Sequence, residues 1–431
     1  MLITKYLRMR KHLQNQWLPT DKLTEMQNSN LRKLINHAYY KVPYYRNLFR
    51  TVGLKPTDIQ TVNDLNKIPL TSKERINKLP INELVAEGTN LSSCIHGKTS
   101  GSTGIPLQII LTTSDLEHHQ ALWNSFLDTC GRKIRDKILI ITGRFPKIYK
   151  KKWYQYIGIG ETSFLLTKED AESLVNGIRK VKPDIIVCYP SRMVVVAQAV
   201  RKQGIEKIAP RILITTAETL DIETREYINK TFNVKLIDYY GSWETGMIAW
   251  ECSKHEGYHA ILDSVVLEVV KNNENVKPGE SGEIVVTNLI SYTMPFIRYT
   301  LGDIGVYMGK MCSCGRGFPL LLERIEGRSD ELIVLPSGKF LSPNAFDVPI
   351  KYVNGIEKFQ IIQEDVHNIS VLLVIAHRNS DEIVKSVEQK LREHVPDSVN
   401  LNIKLVDEVP MAESGKQKCV ISKVKVQLNQ S

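Results

Sequence analysis

The stretch Lys98-Thr-Ser-Gly-Ser-Thr-Gly-Ile-Pro106 is the strongest local signal in this 431-residue sequence. Its glycines permit backbone geometries that turn several N–H groups toward one point. Hydroxyls on Thr99, Ser100, Ser102 and Thr103 add donors, and Lys98 adds charge. A loop of this composition can cradle a polyphosphate. Gly97-Lys98-Thr99 ends like a P-loop, but that spacing would put the first glycine at position 92, which is Ser92. A P-loop also opens a helix. Here Pro106 and the strand-like run Leu107-Gln-Ile-Ile-Leu-Thr112 follow.

Outward from the loop, residues 1–90 read as helical and polar. Leu31 to Tyr39 carries apolar residues at helical spacing, and Pro43 ends it. On the other side, four short aliphatic runs begin at Ile138, Ile185, Ile212 and Leu236. The helix-like stretches Ala171–Val181, Met193–Gln203 and Ile222–Thr231 alternate with them. Strand–helix–strand alternation predicts a parallel α/β core. Leu267-Glu-Val-Val and Gly282-Glu-Ile-Val-Val-Thr287 read as antiparallel strands around a turn at Asn272 to Gly279. After Arg328 the pattern restarts as strand (358–363), strand (370–377), helix (381–394) and strand (402–406), a compact α+β unit. The boundary falls near Ile325–Asp330.

Composition narrows the function classes. Lysine plus arginine is 57 against 47 acidic residues, a net charge of +10, which suits an anionic partner. The basic residues are scattered and form no arginine-rich tract with interleaved aromatics, so nucleic acid is not expected. No apolar run reaches the ~18–20 residues that cross a bilayer. The best candidate, Ile185 to Val200, is broken by Pro190 and Arg192. The basic, partly apolar segment Met1 to Lys11 lacks a signal peptide's apolar region and cleavage site, and reads instead as the first turns of an amphipathic helix. A cytoplasmic location is expected.

Seven cysteines, an odd number, argue against structural disulfides. Cys312-Ser-Cys314 pairs two thiols, and Cys252-x2-His255-x3-His259 supplies complementary ligands. Soft and borderline donors from two distant segments suit tetrahedral Zn²⁺. The preferred set is Cys252, His259, Cys312 and Cys314, with His255 as the competing fourth ligand. Such a closed set would be structural.

Further motifs follow in a fixed order: Asp238-Tyr-Tyr-Gly-Ser-Trp-Glu-Thr-Gly246 after an expected strand, Arg298-Tyr-Thr-Leu-Gly-Asp303, Glu326-Gly-Arg-Ser-Asp-Glu331, and Ser414-Gly-Lys416. With the glycine-rich loop and the opening Ile35-Asn-His-Ala-Tyr-Tyr-Lys-Val-Pro-Tyr-Tyr-Arg46, this order resembles the adenylate-forming superfamily. Within it the chain is similar to the phenylacetate–CoA ligase family, and to its CapK-like branch of capsular polysaccharide biosynthesis. The resemblance implies an α/β fold. A large N-terminal adenylate-forming domain of mixed sheets and helices (1–327) would precede a small mobile α+β lid (328–431).

It also implies a reaction. A small carboxylic acid attacks ATP to give an acyl-adenylate and pyrophosphate, and the acyl group then passes to an acceptor, coenzyme A by analogy. Thr99, Ser100, Gly101, Ser102, Thr103 and Gly104 would bind phosphates, with Thr103 counted among the catalytic groups. Glu244 would hold Mg²⁺, because a hard cation prefers carboxylate oxygen. Ala217 and Glu218 would line the adenine edge, and Tyr240 would stack on the ring, with Tyr239, Gly241 and Ser242 beside it. Asp303 would accept from the ribose hydroxyls, Arg328 would reach ribose or phosphate, and Asp330 would be the hinge. Lys416 matches the mobile lysine that bridges carboxylate and α-phosphate. Cys419 follows Lys418 where an arginine is often found, so Lys418 competes for that role.

Tyr189 and Ser191 are candidate substrate-pocket residues because ligands collect at strand ends in α/β sheets. The CapK-like branch leaves an amine or a sugar open as the acceptor. Two more distant readings compete: an ADP-forming phosphotransferase using the glycine-rich loop, and a basic zinc-containing module that binds nucleic acid.

Overall fold

The computed structural model describes residues 2–98, 106–143, 155, 157–204, 208–338, 340–341, 343–351, 353, 355–375, 380–409 and 419–424. The chain divides into two compact units built from separated stretches. One comprises 1–136, 237–301 and 305–324; the other comprises 137–236, 302–304 and 325–431.

The first unit opens with helices Leu2–Asn15, Thr20–Lys41 and Pro43–Thr51. Thr20–Lys41 buries Leu23, Gln27, Leu31, Leu34, Ile35 and Ala38, one face at three- and four-residue spacing. Pro43 stops this helix and starts the next at its first position, where no N–H is needed. Helix Thr113–Thr129 starts at a capping box: the Thr112 hydroxyl accepts from the Asp115 N–H, and the Asp115 carboxylate accepts from the Thr112 N–H.

The antiparallel strands of this unit include Val265–Lys271 against Ser281–Asn288, in register from Val265↔Asn288 to Val270↔Glu283. Ile237–Ser242 pairs with Gly246–Glu251, which pairs with Tyr258–Ala260. Tyr258–Ala260 in turn meets Leu320–Arg328 at His259↔Leu320. Arg298 lies fully buried, paired with Glu268 at 3.1 Å and donating to the Ile68 carbonyl at 2.7 Å. A lone buried guanidinium would be very costly; these acceptors make it a clamp between the 66–68 segment and the sheet.

The second unit contains the parallel core. Strands Thr162–Leu166, Ile138–Thr142, Ile185–Cys188 and Ile212–Thr216 lie in that spatial order. Helices Ala171–Val181, Pro190–Lys202 and Ile222–Phe232 cover them, sharing a core that includes Leu139, Val175, Ile186, Val196, Leu213 and Ile228. Further along, the hairpin of Ile356–Asp365 and Asn368–Ile375 is flanked by Asn400–Leu405 and Val420–Ser422, both parallel to their neighbours. Helix Ser380–Arg392 packs Ile383, Val387 and Leu391 into a separate core with Ile361, Val371 and Leu373.

The expected combination of mixed sheets and helices is what the chain forms. The first three aliphatic runs are strands at the expected positions, and the fourth starts one residue later at Ile237. Among the described residues, no helix is long and apolar enough to cross a membrane.

Candidate nucleotide site and metal centre

In the first unit, strand Ile95–Lys98 pairs antiparallel with Gln108–Leu111, Lys98 opposite Gln108. The two strands form the stem from which the glycine-rich loop springs. Thr99, Ser100, Gly101, Ser102, Thr103 and Gly104 themselves lie outside the described residues, as does Lys416. The stem lies against the second motif: a Cβ added at Gly97 would sit 3.8 Å from the Trp243 ring.

Trp243 and Glu244 occupy the turn between Ile237–Ser242 and Gly246–Glu251, and that turn is tightly built. The Ser242 and Thr245 hydroxyls are 2.9 Å apart, the Thr245 N–H donates to Ser242 Oγ at 3.1 Å, and Asn288 Nδ2 donates to the Thr245 carbonyl at 2.7 Å. A Cβ at Gly241 would come within 2.6 Å of the Gly246 carbonyl. Gly246 has φ +75°, and a Cβ there would meet His119 Nδ1 at 2.2 Å. Only glycine fits either place. Glu244 is half-buried, with the Tyr299 hydroxyl 3.5 Å from Oε1. Tyr239 packs on Trp123 and Phe126, while Tyr240, 8 % exposed, lies opposite Ala249.

His119 belongs to none of the sequence motifs. Burial pushes its pKa down to about 4, so the ring is neutral at pH 7, and its Nε2 lies 3.1 Å from Ser291 Oγ. The legible signal was the Thr112-x-x-Asp115 box, which starts the helix that carries it.

In the second unit, strand Ile212–Thr216 runs into Ala217, whose φ is +68°. Glu218 caps helix Pro190–Lys202: its carboxylate accepts from both the Ser191 N–H and the Ser191 hydroxyl at 3.0 Å. An acidic group at a helix N-terminus is electrostatically favourable. The candidate pocket residue Ser191 is therefore committed to holding Glu218. Tyr189, beside it, is half-buried, and burial raises its pKa.

The same unit carries Asp303, Arg328 and Asp330 together. Arg328 lies 3.6 Å from Asp303 and donates to Asp330 at 3.1 Å. Burial opposes the charge on Arg328, but the carboxylates of Asp303 and Asp330 outweigh it and raise its pKa. Gly302, at φ +74°, leaves room for the guanidinium: a Cβ would be 3.1 Å from Nη2. Gly327, at φ +118°, lets this strand pass Pro343 and Thr219, where a Cβ would be 3.1 and 3.7 Å away. The Ser422 N–H donates to the Asp330 carbonyl at 3.2 Å. Each unit thus gathers its own share of the expected residues.

A separate cluster lies in the first unit. One donor atom each from Cys252, His259, Cys312 and Cys314 falls within 4.8 Å of the others. Cys252 Sγ is 3.6 Å from Cys312 Sγ, and Cys314 Sγ is 3.5 Å from His259 Nε2. A tetrahedral Zn²⁺ with ~2.3 Å bonds to sulfur needs ligand separations of about 3.8 Å, so the donor set fits. His259 is fully buried, and its Nδ1 is 2.7 Å from the Phe318 carbonyl, which assigns the proton to Nδ1 and leaves Nε2 free to ligate. The N–H groups of Lys254 and Cys314 each donate to a thiol sulfur at 3.4 Å. His255 stands outside the cluster, with φ +53° and its Nδ1 3.7 Å from Glu251.

Residues 77–290 match the family model of AMP-binding enzymes, and residues 333–423 match that of the CapK C-terminal domain. The phenylacetate-coenzyme A ligase of Thermus thermophilus is 24% identical over 94% of this chain and 97% of its own. Protein CapK of Staphylococcus aureus is 23% identical over 94% of this chain and 90% of its own. Among solved structures, a 2-hydroxyisobutyryl-CoA ligase in the postadenylation state superposes with a TM-score of 0.77 at 18% identity, covering 95% of this chain and 91% of that one.

The chain belongs to the AMP-binding, adenylate-forming enzymes. Within that class it is similar along nearly its whole length to a phenylacetate-coenzyme A ligase and to a CapK protein, and its C-terminal region matches the CapK C-terminal domain.

Proposed function

We propose that this chain activates a small carboxylic acid with ATP, releasing pyrophosphate, and passes the acyl group from the resulting adenylate to coenzyme A. The observation that carries this reading is the stem of the glycine-rich loop packed against Trp243, next in sequence to Glu244. Polyphosphate transfer needs converging N–H donors and a carboxylate that can hold a cation beside them.

The residue roles follow the family motifs. The loop residues Thr99 to Gly104 hold the β- and γ-phosphates, with Thr103 against the reacting end. Tyr240 packs the adenine with its remaining surface, and Ala217 and Glu218 line the base edge. Asp303 takes the ribose hydroxyls, and Arg328 neutralises phosphate charge. Lys416 steadies the charge that develops between carboxylate and α-phosphate. Asp330 is the pivot about which residues 328–431 turn between the two steps. Tyr189 borders the acid. Mg²⁺ at Glu244 would supply charge neutralisation on the phosphates. The four donors of Cys252, His259, Cys312 and Cys314 would hold Zn²⁺ as a structural brace, since a closed set leaves no place for substrate.

The CapK-type C-terminal domain favours a second reading of the acceptor, an amine or a sugar in place of the thiol. ATP–pyrophosphate exchange across a panel of carboxylic acids tests the activation step. Exchange with one acid class, giving AMP, is expected; ADP as the product, or no exchange with any acid, overturns the reading. Consumption of free coenzyme A thiol in the same mixture separates the acceptors.

A further inference from the structure

Helix Leu2–Asn15 is mounted with its polar side inward. A helix that serves only the fold turns its apolar stripe to the core. Here the inward face works through polar groups. Lys5 Nζ donates to Gln120 at 2.9 Å, and Arg8 lies 3.6 Å from Glu117. His12 Nδ1 is 2.7 Å from Asp263, and Asn15 Nδ2 donates to the same carboxylate at 2.8 Å. Positions 5, 8, 12 and 15 share one side of the helix.

The opposite side carries Ile3, Leu7 and Arg10, with Tyr6 and Lys11 at its margins. Ile3 is 76 % exposed, Leu7 60 % and Tyr6 55 %, and Arg10 and Lys11 are exposed with them. The helix contains no acidic residue, and the whole chain carries a net charge of +10.

We propose that this face docks the protein on an anionic lipid surface. Ile3, Tyr6 and Leu7 enter the boundary between headgroups and acyl chains, while Arg10 and Lys11 meet the lipid phosphates. Charge complementarity selects this occupant over a second copy of the chain, because two-fold pairing would bring together two copies of a face whose only charges are positive. One short helix gives reversible, salt-sensitive attachment. The inference does not depend on the proposed ligase activity.

The test is flotation of the full chain with vesicles of phosphatidylcholine alone and of phosphatidylcholine with phosphatidylglycerol. Co-flotation with the second at low salt, and not with the first, is expected. The paired change Arg10→Gln and Lys11→Gln should weaken binding roughly fivefold per charge removed. Ile3→Asp with Leu7→Asp should abolish it, with unchanged circular dichroism. If that second variant fails to fold, the Arg10/Lys11 variant still decides, because both side chains meet solvent. Absence of phosphatidylglycerol-dependent flotation overturns the proposal. So does flotation that survives both sets of changes. A dimer in sedimentation that Leu7→Asp dissolves, without vesicle binding, gives the face to a second copy and also overturns it.

Discussion

The thiol–imidazole cluster and the Asp303–Arg328–Asp330 group are built on opposite plans. Cys252, Cys312 and His259 are buried, and each of the four side chains has a polar partner. Burial pushes the Cys312 thiol up to about 12. Arg328 and its two aspartates are half-buried, with hard oxygen and nitrogen groups still reachable from solvent. A closed set of soft donors serves stability, whereas an open set of charged groups has capacity left for a ligand. Damage to the first should therefore appear as melting, and damage to the second as lost rate.

The largest expected effect lies on the side of the open chemistry. Lys416→Ala should slow adenylate formation by roughly 10²–10³-fold, the scale of one charge stabiliser at a transition state. Acyl transfer from a supplied acyl-adenylate should survive, and single-turnover assays of each half-reaction would reveal equal losses if the role is wrong. On the closed side, Cys312→Ser should drop bound zinc from one per chain to well under one and cost about 3 kcal/mol of stability, as loss of a tightly bound ion does. Metal analysis with thermal melts checks this, and wild-type protein purified without zinc would remove the metal assignment.

A smaller change is expected from Arg328→Ala, which should reduce kcat/KM for ATP by roughly tenfold to fiftyfold, the worth of a charge-assisted hydrogen bond. Its melting temperature should barely move; a large drop with normal ATP kinetics would make this group structural too. The smallest effect concerns His119. Its folded pKa of about 4 lies below the ordinary value of 6.5, so the unfolded chain takes up the proton first. The neutral ring's contribution is present above pH 6.5 and is lost as pH falls from there toward 4, with about 2 kcal/mol gone by pH 5. Denaturant melts across that window should show a shallower slope for His119→Gln. An unchanged slope would mean that the imidazole is not held neutral beside Gly246.

The parts most legible in the sequence were those where burial on both faces leaves a continuous aliphatic run. Ile138–Thr142, Ile185–Cys188 and Ile212–Thr216 are such strands. Tyr299–Lys310 and Leu320–Arg328 carry no strand signal, because Gly302, Gly305, Gly309 and the charged residues of 323–328 interrupt any alternation. Helix Thr113–Thr129 shows only its start, at the Thr112-x-x-Asp115 box, and its apolar stripe is masked because it turns Asp115, Ser125 and His119 inward. The cysteine pair was plain from its spacing. The choice between His255 and His259 was not, since both follow Cys252 within one short segment. Strand register decides it: His259 pairs with Leu320, and His255 sits in the turn before that strand.

The attachment of the first helix has a practical consequence. Asp263 is a buried carboxylate; burial raises its pKa, and His12, Asn15 and Ser264 more than offset that and leave it lowered. Trimming the chain to begin after residue 15 would strip away two of those three groups and strand a negative charge in the interior. A shortened version made for convenience would thus be a destabilised protein, and any loss of activity in it would say nothing about catalysis.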